Sequence, residues 1–168
     1  MKCAEWTEAD WDLASGAFDR NFPNGRGMGV WTAAAVTDRD WAGTAKGLSS
    51  VDTRIQFKNN AEYHGMEVHA WQYTASAMYR EASDHFYTAA FWREVDAESI
   101  GDSNPEHAAD PGHHKAITMC IRMARFCLAL ANAQESRSPW PRSTQFGLEP
   151  EWVEERESKA QRQIDAAT

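Results

Sequence analysis

The stretch 61–97 constrains the fold more than any other, because it contains no proline and its single glycine, Gly65, lies near its start. Such a run holds about ten helical turns, roughly 55 Å at 1.5 Å per residue. From His64, the residues Val68, Trp71, Ala75, Met78, Ala82, His85, Ala89 and Trp92 follow at alternating steps of four and three. That alternation is the seam of a helix packed along its length against others. Tyr63, Tyr73, Tyr79, Phe86, Tyr87 and Phe91 widen the apolar face, so neighbours are expected on more than one side. On one straight helix His64 and His85 stand about 31 Å apart and cannot serve one site.

The rest of the chain supplies the neighbours. Thr7-Glu8-Ala9-Asp10-Trp11 and Thr37-Asp38-Arg39-Asp40-Trp41 both read as helix starts, with threonine as cap and acids in the first turn. Glu149-Pro150-Glu151-Trp152 is a third version with proline at the first helical position. Asp110 and Pro111 open a helix near 113–134. Ile117, Ile121, Ala124, Leu128 and Ala131 make one of its faces and Met119, Met123, Phe126 and Leu130 another, which predicts the most buried helix of the chain. Alternation over 51–58 predicts a half-buried strand, with 28–36 as its only local partner. The fold expected is an all-α bundle of four or five helices in a single domain, 1–168, with a long central helix and at most a minor two-stranded β ribbon.

Three segments stand outside the regular elements. Around Arg26, three glycines alternate in a loop whose backbone N–H groups suit an anion, although the spacing matches no P-loop or dinucleotide fingerprint. A plain connection is the preferred reading there. Prolines on both sides of Trp140 force extended backbone, which either clamps the ring onto the bundle or offers it to a partner. The final helix, 150–167, carries a thin stripe of Trp152, Val153, Ala160 and Ile164, so it packs peripherally or receives a partner.

A net charge of −8 argues against a general nucleic-acid binder and suits a soluble cytoplasmic protein. The charge is uneven. Residues 1–19 and 149–157 are acidic, whereas 112–145 carries Lys115, Arg122, Arg125, Arg137 and Arg142 against Glu135 alone. Acidic ends folding back on this basic segment is the preferred reading, and an anion- or nucleic-acid-binding face of Lys115, Arg122 and Arg125 the alternative. Eight tryptophans suit a core of large rings, with Trp140 and Trp152 as the candidates for a partner surface. The three cysteines form no metal-ligand pair, and Cys120 and Cys127 are about 10 Å apart on one helix, too far to bridge. Reduced, buried thiols are expected. No apolar run of membrane-spanning length is evident, so no membrane association is expected.

Metal templates fail on spacing. Glu67-Val68-His69 and Glu81-Ala82-Ser83-Asp84-His85 lack the Glu-x-x-His step of carboxylate-bridged bundles, and neither His-Glu-x-x-His nor Cys-x-x-Cys occurs. No metal or cofactor is therefore expected. A site built on His64 and Glu67 and completed by His107, His113 or His114 is the weaker alternative. Arg80-Glu81-Ala82-Ser83-Asp84-His85 resembles the Arg-x(4–6)-His motif of HEPN ribonucleases. The resemblance implies a helical dimer that cleaves RNA without metal, Arg80 binding phosphate and His85 handling the proton. Helix geometry offers these residues a structural role instead, since Arg80 with Asp84 and Glu81 with His85 are i,i+4 pairs.

The function expected is an interaction or assembly subunit that binds a protein partner or a second copy of itself. The alternatives are the HEPN-like ribonuclease, a helical nucleotide hydrolase using Glu67, Glu81, Asp84, Arg122 and Arg125, and a nucleic-acid-binding subunit working through 112–145.

Overall fold

The computed structural model describes residues 3–22, 52–103 and 111–167, with side chains described within 3–22, 64–95 and 114–167. Among these, five helices and one short turn form an all-α bundle. In chain order they are α1 (Glu8–Asn21), α2 (Asp52–Ala75), α3 (Tyr79–Ser103), α4 (Pro111–Ser136), a 3₁₀ turn (Ser143–Phe146) and α5 (Pro150–Ala167).

The long helix expected over 61–97 is two helices folded into a hairpin. α2 ends at Ala75, and Ala77 takes a left-handed φ of 57°. The Ala77 N–H donates to the Thr74 carbonyl (3.1 Å) and the Met78 N–H to the Tyr73 carbonyl (2.8 Å), the paired bonds of a Schellman stop. Glycine normally occupies this position, and alanine there costs roughly 1 kcal/mol. The cost is offset by what the reversal buries: Trp71 meets Phe86 edge-on at 5.1 Å, and Tyr73 meets His85 at 5.0 Å. The apolar seam is real, but its two halves face each other.

The strand expected over 51–58 is also corrected, since α2 is helical from Asp52. An isolated two-stranded ribbon is marginal in water, whereas those residues extend a helix already nucleated, at one hydrogen bond each. The other half of that ribbon, 28–36, lies outside the described residues, as do Arg26 with its glycine loop and the helix start at Thr37.

α3 is the centre of the bundle and packs against α1, α2 and α4, while α5 lies on α2. Every residue from 86 to 95 is buried, as expected of a helix enclosed on all sides. α4 is heavily buried too, but it is α3, the second half of the expected long helix, that the others surround. Trp92 stands in the middle, 4.8 Å from Phe22 and 5.6 Å from Phe18 of α1. Phe91 lies 4.8 Å from Trp11. Trp6, Trp11, Trp71, Trp92 and Trp152 all join the main core, so most of the described tryptophans serve packing. By length and composition alone, His114–Ser136 of α4 would pass for a membrane span, but 56% of its most apolar window is buried in the bundle. Length and apolarity are properties that core helices share with spans.

α1 starts where its sequence says. Thr7 Oγ1 accepts from the Asp10 N–H, and Asp10 Oδ2 accepts from the Thr7 N–H, both at 3.1 Å, a capping box with aspartate in the third position. Asp10 does more than cap. Only 4% exposed, it accepts from the Tyr87 hydroxyl of α3 (2.8 Å) and from Arg125 Nη2 of α4 (2.5 Å). Burial acts to raise its pKa, but the bonds from Arg125, Tyr87 and Thr7 outweigh it and hold the carboxyl at about 2.

Two outcomes follow from these features. Ala77→Gly relieves the left-handed alanine, and we expect a stability gain of up to about 1 kcal/mol and a thermal midpoint a few degrees higher; a lower midpoint would show that the Ala77 methyl contributes packing. The depressed Asp10 pKa gives stability that is fully present above the ordinary value of 3.8 and lost as pH falls towards about 2, an amount of about 2 kcal/mol. Urea unfolding of wild type and Asp10→Asn across that acid range should therefore converge at the low end. Curves that stay parallel would remove Asp10 from the acid sensitivity.

Candidate functional site

Arg80 and His85 diverge. Arg80 of α3 points to α4, where Nε and Nη2 donate to Glu135 (2.9–3.0 Å) and Nη2 also to Asn132 Oδ1 (3.1 Å). His85 turns back to α2, with Nδ1 2.9 Å from the Glu81 carbonyl and its ring 6.3 Å from His69. Burial lowers its pKa, and His69 adds to that, more than the Glu81 carbonyl and the nearby acids raise it. Asp84, the i,i+4 neighbour of Arg80, pairs instead with Arg20 of α1 at 3.0 Å. The expected Arg80–Asp84 pair gives way to pairs between helices, while His85 keeps a local contact with Glu81, through its backbone carbonyl rather than its carboxylate.

Arg122 and Arg125 are engaged by the acidic amino-terminal segment. Arg125 Nη1 meets Glu5 Oε2 at 2.6 Å, Nη2 donates to the Glu5 carbonyl (2.8 Å), and both Nε and Nη2 bond Asp10. Arg122 Nε donates to Glu5 Oε1 (3.1 Å) and Nη1 to the Gly147 carbonyl (3.1 Å). Gly147 has φ 72°, and a Cβ there would stand 3.1 Å from Arg122 Nη1, so glycine admits both the backbone and the guanidinium. Beside this clasp, Glu94 is fully buried. Its Oε1 accepts from the Cys3 N–H (2.6 Å) and Trp6 Nε1 (2.8 Å), while Oε2 has no hydrogen-bond partner among the described residues.

A groove opens between α2, α3, α4 and α5, with a volume of ≈ 330 Å³. Each helix contributes residues at helical spacing: Glu67 and Trp71, Phe86 and Arg93, Lys115 with Met119, Cys120 and Met123, then Trp152 and Arg156. Trp71 stands edge-on to both Phe86 and Trp152, 5.1 and 5.5 Å away. At the base, Arg93 Nε donates to Glu67 Oε1, and Cys120 Sγ lies 3.5 Å from the same oxygen. His64 Nδ1 is 3.7 Å from Glu67 Oε2. Burial pushes the Cys120 thiol well above its usual pKa and the Glu67 charge adds to this, so it is a poor nucleophile. At the rim the Arg156 guanidinium lies 4.0 Å over the Trp152 ring. A second hollow of ≈ 220 Å³ shares Glu67, Trp71 and Arg156 and adds Lys159. Among the described residues no three histidine, cysteine or acidic side chains are placed to hold a metal ion.

Of the residues singled out from sequence, the structure brings Lys115 and Trp152 together in this groove, along with Glu67. It leaves Trp140 apart, 54% exposed and edge-on to Tyr79 at 5.5 Å. Arg93 was not legible, because a continuous helix places it 26 residues from Glu67, about 39 Å away; only the reversal at Ala77 makes them partners. No family model, no curated protein and no solved structure matches this chain.

The Arg93 and Glu67 side chains are 11% and 21% exposed, so removing one leaves the other poorly solvated and without its nearest counter-charge. Glu67→Gln is expected to cost about 3 kcal/mol in urea unfolding, and Arg93→Met in the same background to add little. Strict additivity of the two changes would show that the pair is not coupled.

Proposed function

We propose that the chain is a non-catalytic interaction subunit that docks an acidic, apolar-tipped segment of a protein partner against Trp140. The observation that carries this reading is an exposed tryptophan held in place. Trp140 is the most exposed of the large apolar side chains described. Its backbone is fixed by Pro139 and Pro141 and its ring rests on Tyr79. A pre-ordered ring loses little entropy on binding, and tryptophan anchors are prominent among interface hot spots. Met78, next to Tyr79 in the chain, is exposed too, at 45%.

The charge around the ring indicates the partner. Arg137 and Arg142 are exposed on either side of Trp140, and neither forms an ion pair among the described residues. Glu135 is already taken by Arg80, and burial, with the Glu157 charge adding to it, raises the pKa of the supporting Tyr79. An acidic segment with one apolar residue complements this arrangement. The ribonuclease reading draws on Arg80 and His85, and the hydrolase and nucleic-acid readings on Arg122 and Arg125, whose side chains are engaged within the fold, and so these have less support. Lys115, Arg137 and Arg142 of the basic segment form no ion pair among the described residues, but a net charge of −8 favours a protein partner over nucleic acid.

The test is to pan a displayed random-peptide library on the folded protein and measure binding of the enriched peptides by fluorescence anisotropy. Enriched peptides should pair acidic residues with an aromatic or branched apolar one. Trp140→Ala, and separately Arg137→Glu with Arg142→Glu, should each weaken binding at least about tenfold. Peptides that bind Trp140→Ala as well as wild type would overturn the reading. So would a concentration-dependent dimer, seen by ultracentrifugation, that Trp140→Ala abolishes, because it would assign the surface to self-association.

A further inference from the structure

From a different part of the surface, we infer that the groove between α2, α3, α4 and α5 is a binding site for a small organic anion with a flat apolar body, such as an aryl carboxylate, sulfonate or phosphate. Its volume of ≈ 330 Å³ falls in the range of small-ligand pockets. Its walls are mostly ring and thioether, with Trp71 perpendicular to Phe86 and at 67° to Trp152. Rings set at right angles make an apolar corner against which a planar molecule lies. Met119 and Met123 on the α4 side adapt to its outline.

Charge selects the anion. This chain is acidic overall, at −8, and Arg20, Arg80, Arg93, Arg122 and Arg125 are each paired with a carboxylate. Lys115, Arg156 and Lys159 form no ion pair among the described residues, and neither do Arg137, Arg142 and Arg162; the first three are the ones that border the groove or its continuation. Among the described residues Arg156 donates to the Trp152 carbonyl (3.2 Å) and covers the Trp152 ring, an arrangement from which it can turn to an incoming oxygen. Four cationic residues line the two hollows against one carboxylate, Glu67, which Arg93 already neutralises. In a partly enclosed, ring-lined setting a charge-assisted bond to such an anion is stronger than in open water.

Titration calorimetry on the folded protein with naphthalene-2-sulfonate tests this, with 2-naphthalenemethanol as the uncharged probe and inorganic phosphate as the ringless one. The aryl sulfonate should bind one to one, and each partial probe at least about tenfold more weakly. Arg156→Gln should weaken the aryl sulfonate by about tenfold. Because that change also uncovers Trp152, the exposed pair Lys115→Gln with Lys159→Gln is measured alongside and should give a loss of the same order with an unchanged thermal midpoint. Trp140→Ala should leave this binding intact, which separates the groove from the proposed partner surface. The inference is overturned by absence of saturable binding, by phosphate binding as tightly as the aryl sulfonate, or by cation variants that bind like wild type.

Discussion

The structure depends on one buried carboxylate. Asp10 is shared among three helices: it belongs to α1, takes the Tyr87 hydroxyl from α3 and the Arg125 guanidinium from α4, and caps its own helix through Thr7. A carboxylate at this depth is unfavourable unless its oxygens are fully used, so the three helices must meet in one register for any of them to be satisfied. The forked guanidinium also binds Glu5, which a lysine could not reproduce in the same geometry. Glu5 and Asp10 of the acidic start thereby neutralise Arg122 and Arg125 of the basic helix.

α3 extends the same device along its length. Its buried polar residues each address a different neighbour: Ser83 donates to the Ala124 carbonyl of α4, Thr88 accepts from Asn21 of α1, Arg93 pairs with Glu67 of α2, and Glu94 receives the amino-terminal Cys3 and Trp6. Apolar rings supply most of the burial energy but tolerate sliding, whereas a polar group without its partner is penalised. At least one polar pair to each neighbour gives a ring-filled core a single alignment. Glu94 is the incomplete case, with one oxygen doubly bonded and the other unpartnered among the described residues.

What was legible in the sequence was what local chemistry decides. Thr7 caps α1, Pro111 and Pro150 open α4 and α5, and Pro139 and Pro141 hold Trp140 out of any helix, because caps and prolines act within a few residues. The reversal at Ala77 was not legible. Thr74-Ala75-Ser76-Ala77-Met78 holds no glycine or proline, and the turn is selected by Trp71 meeting Phe86 across the hairpin, a contact that exists only after folding. Part of the error about the site follows from that one: on an unbroken helix Glu67 is remote from Arg93 and His85 from His69, whereas in the hairpin His85 lies beside His69 and Glu67 with Arg93 forms the base of a groove. The pairing of Arg80 with Glu135 comes instead from the packing of α3 on α4.

The groove itself has a physical origin in how α5 is attached. That helix packs on α2 and on the 3₁₀ turn, with Trp152 set against Trp71, and its thin apolar stripe, buried at Val153 and Ala160, is too narrow to close against α4 as well. The gap falls where Trp71 of α2 and Met119 and Met123 of α4 surround a neutralised ion pair, and it is bordered by Lys115 and Arg156, which form no ion pair among the described residues. Filling it would bring α4 and α5 into contact through a third body, so an occupant of that groove would be felt first in the anchoring of the last helix.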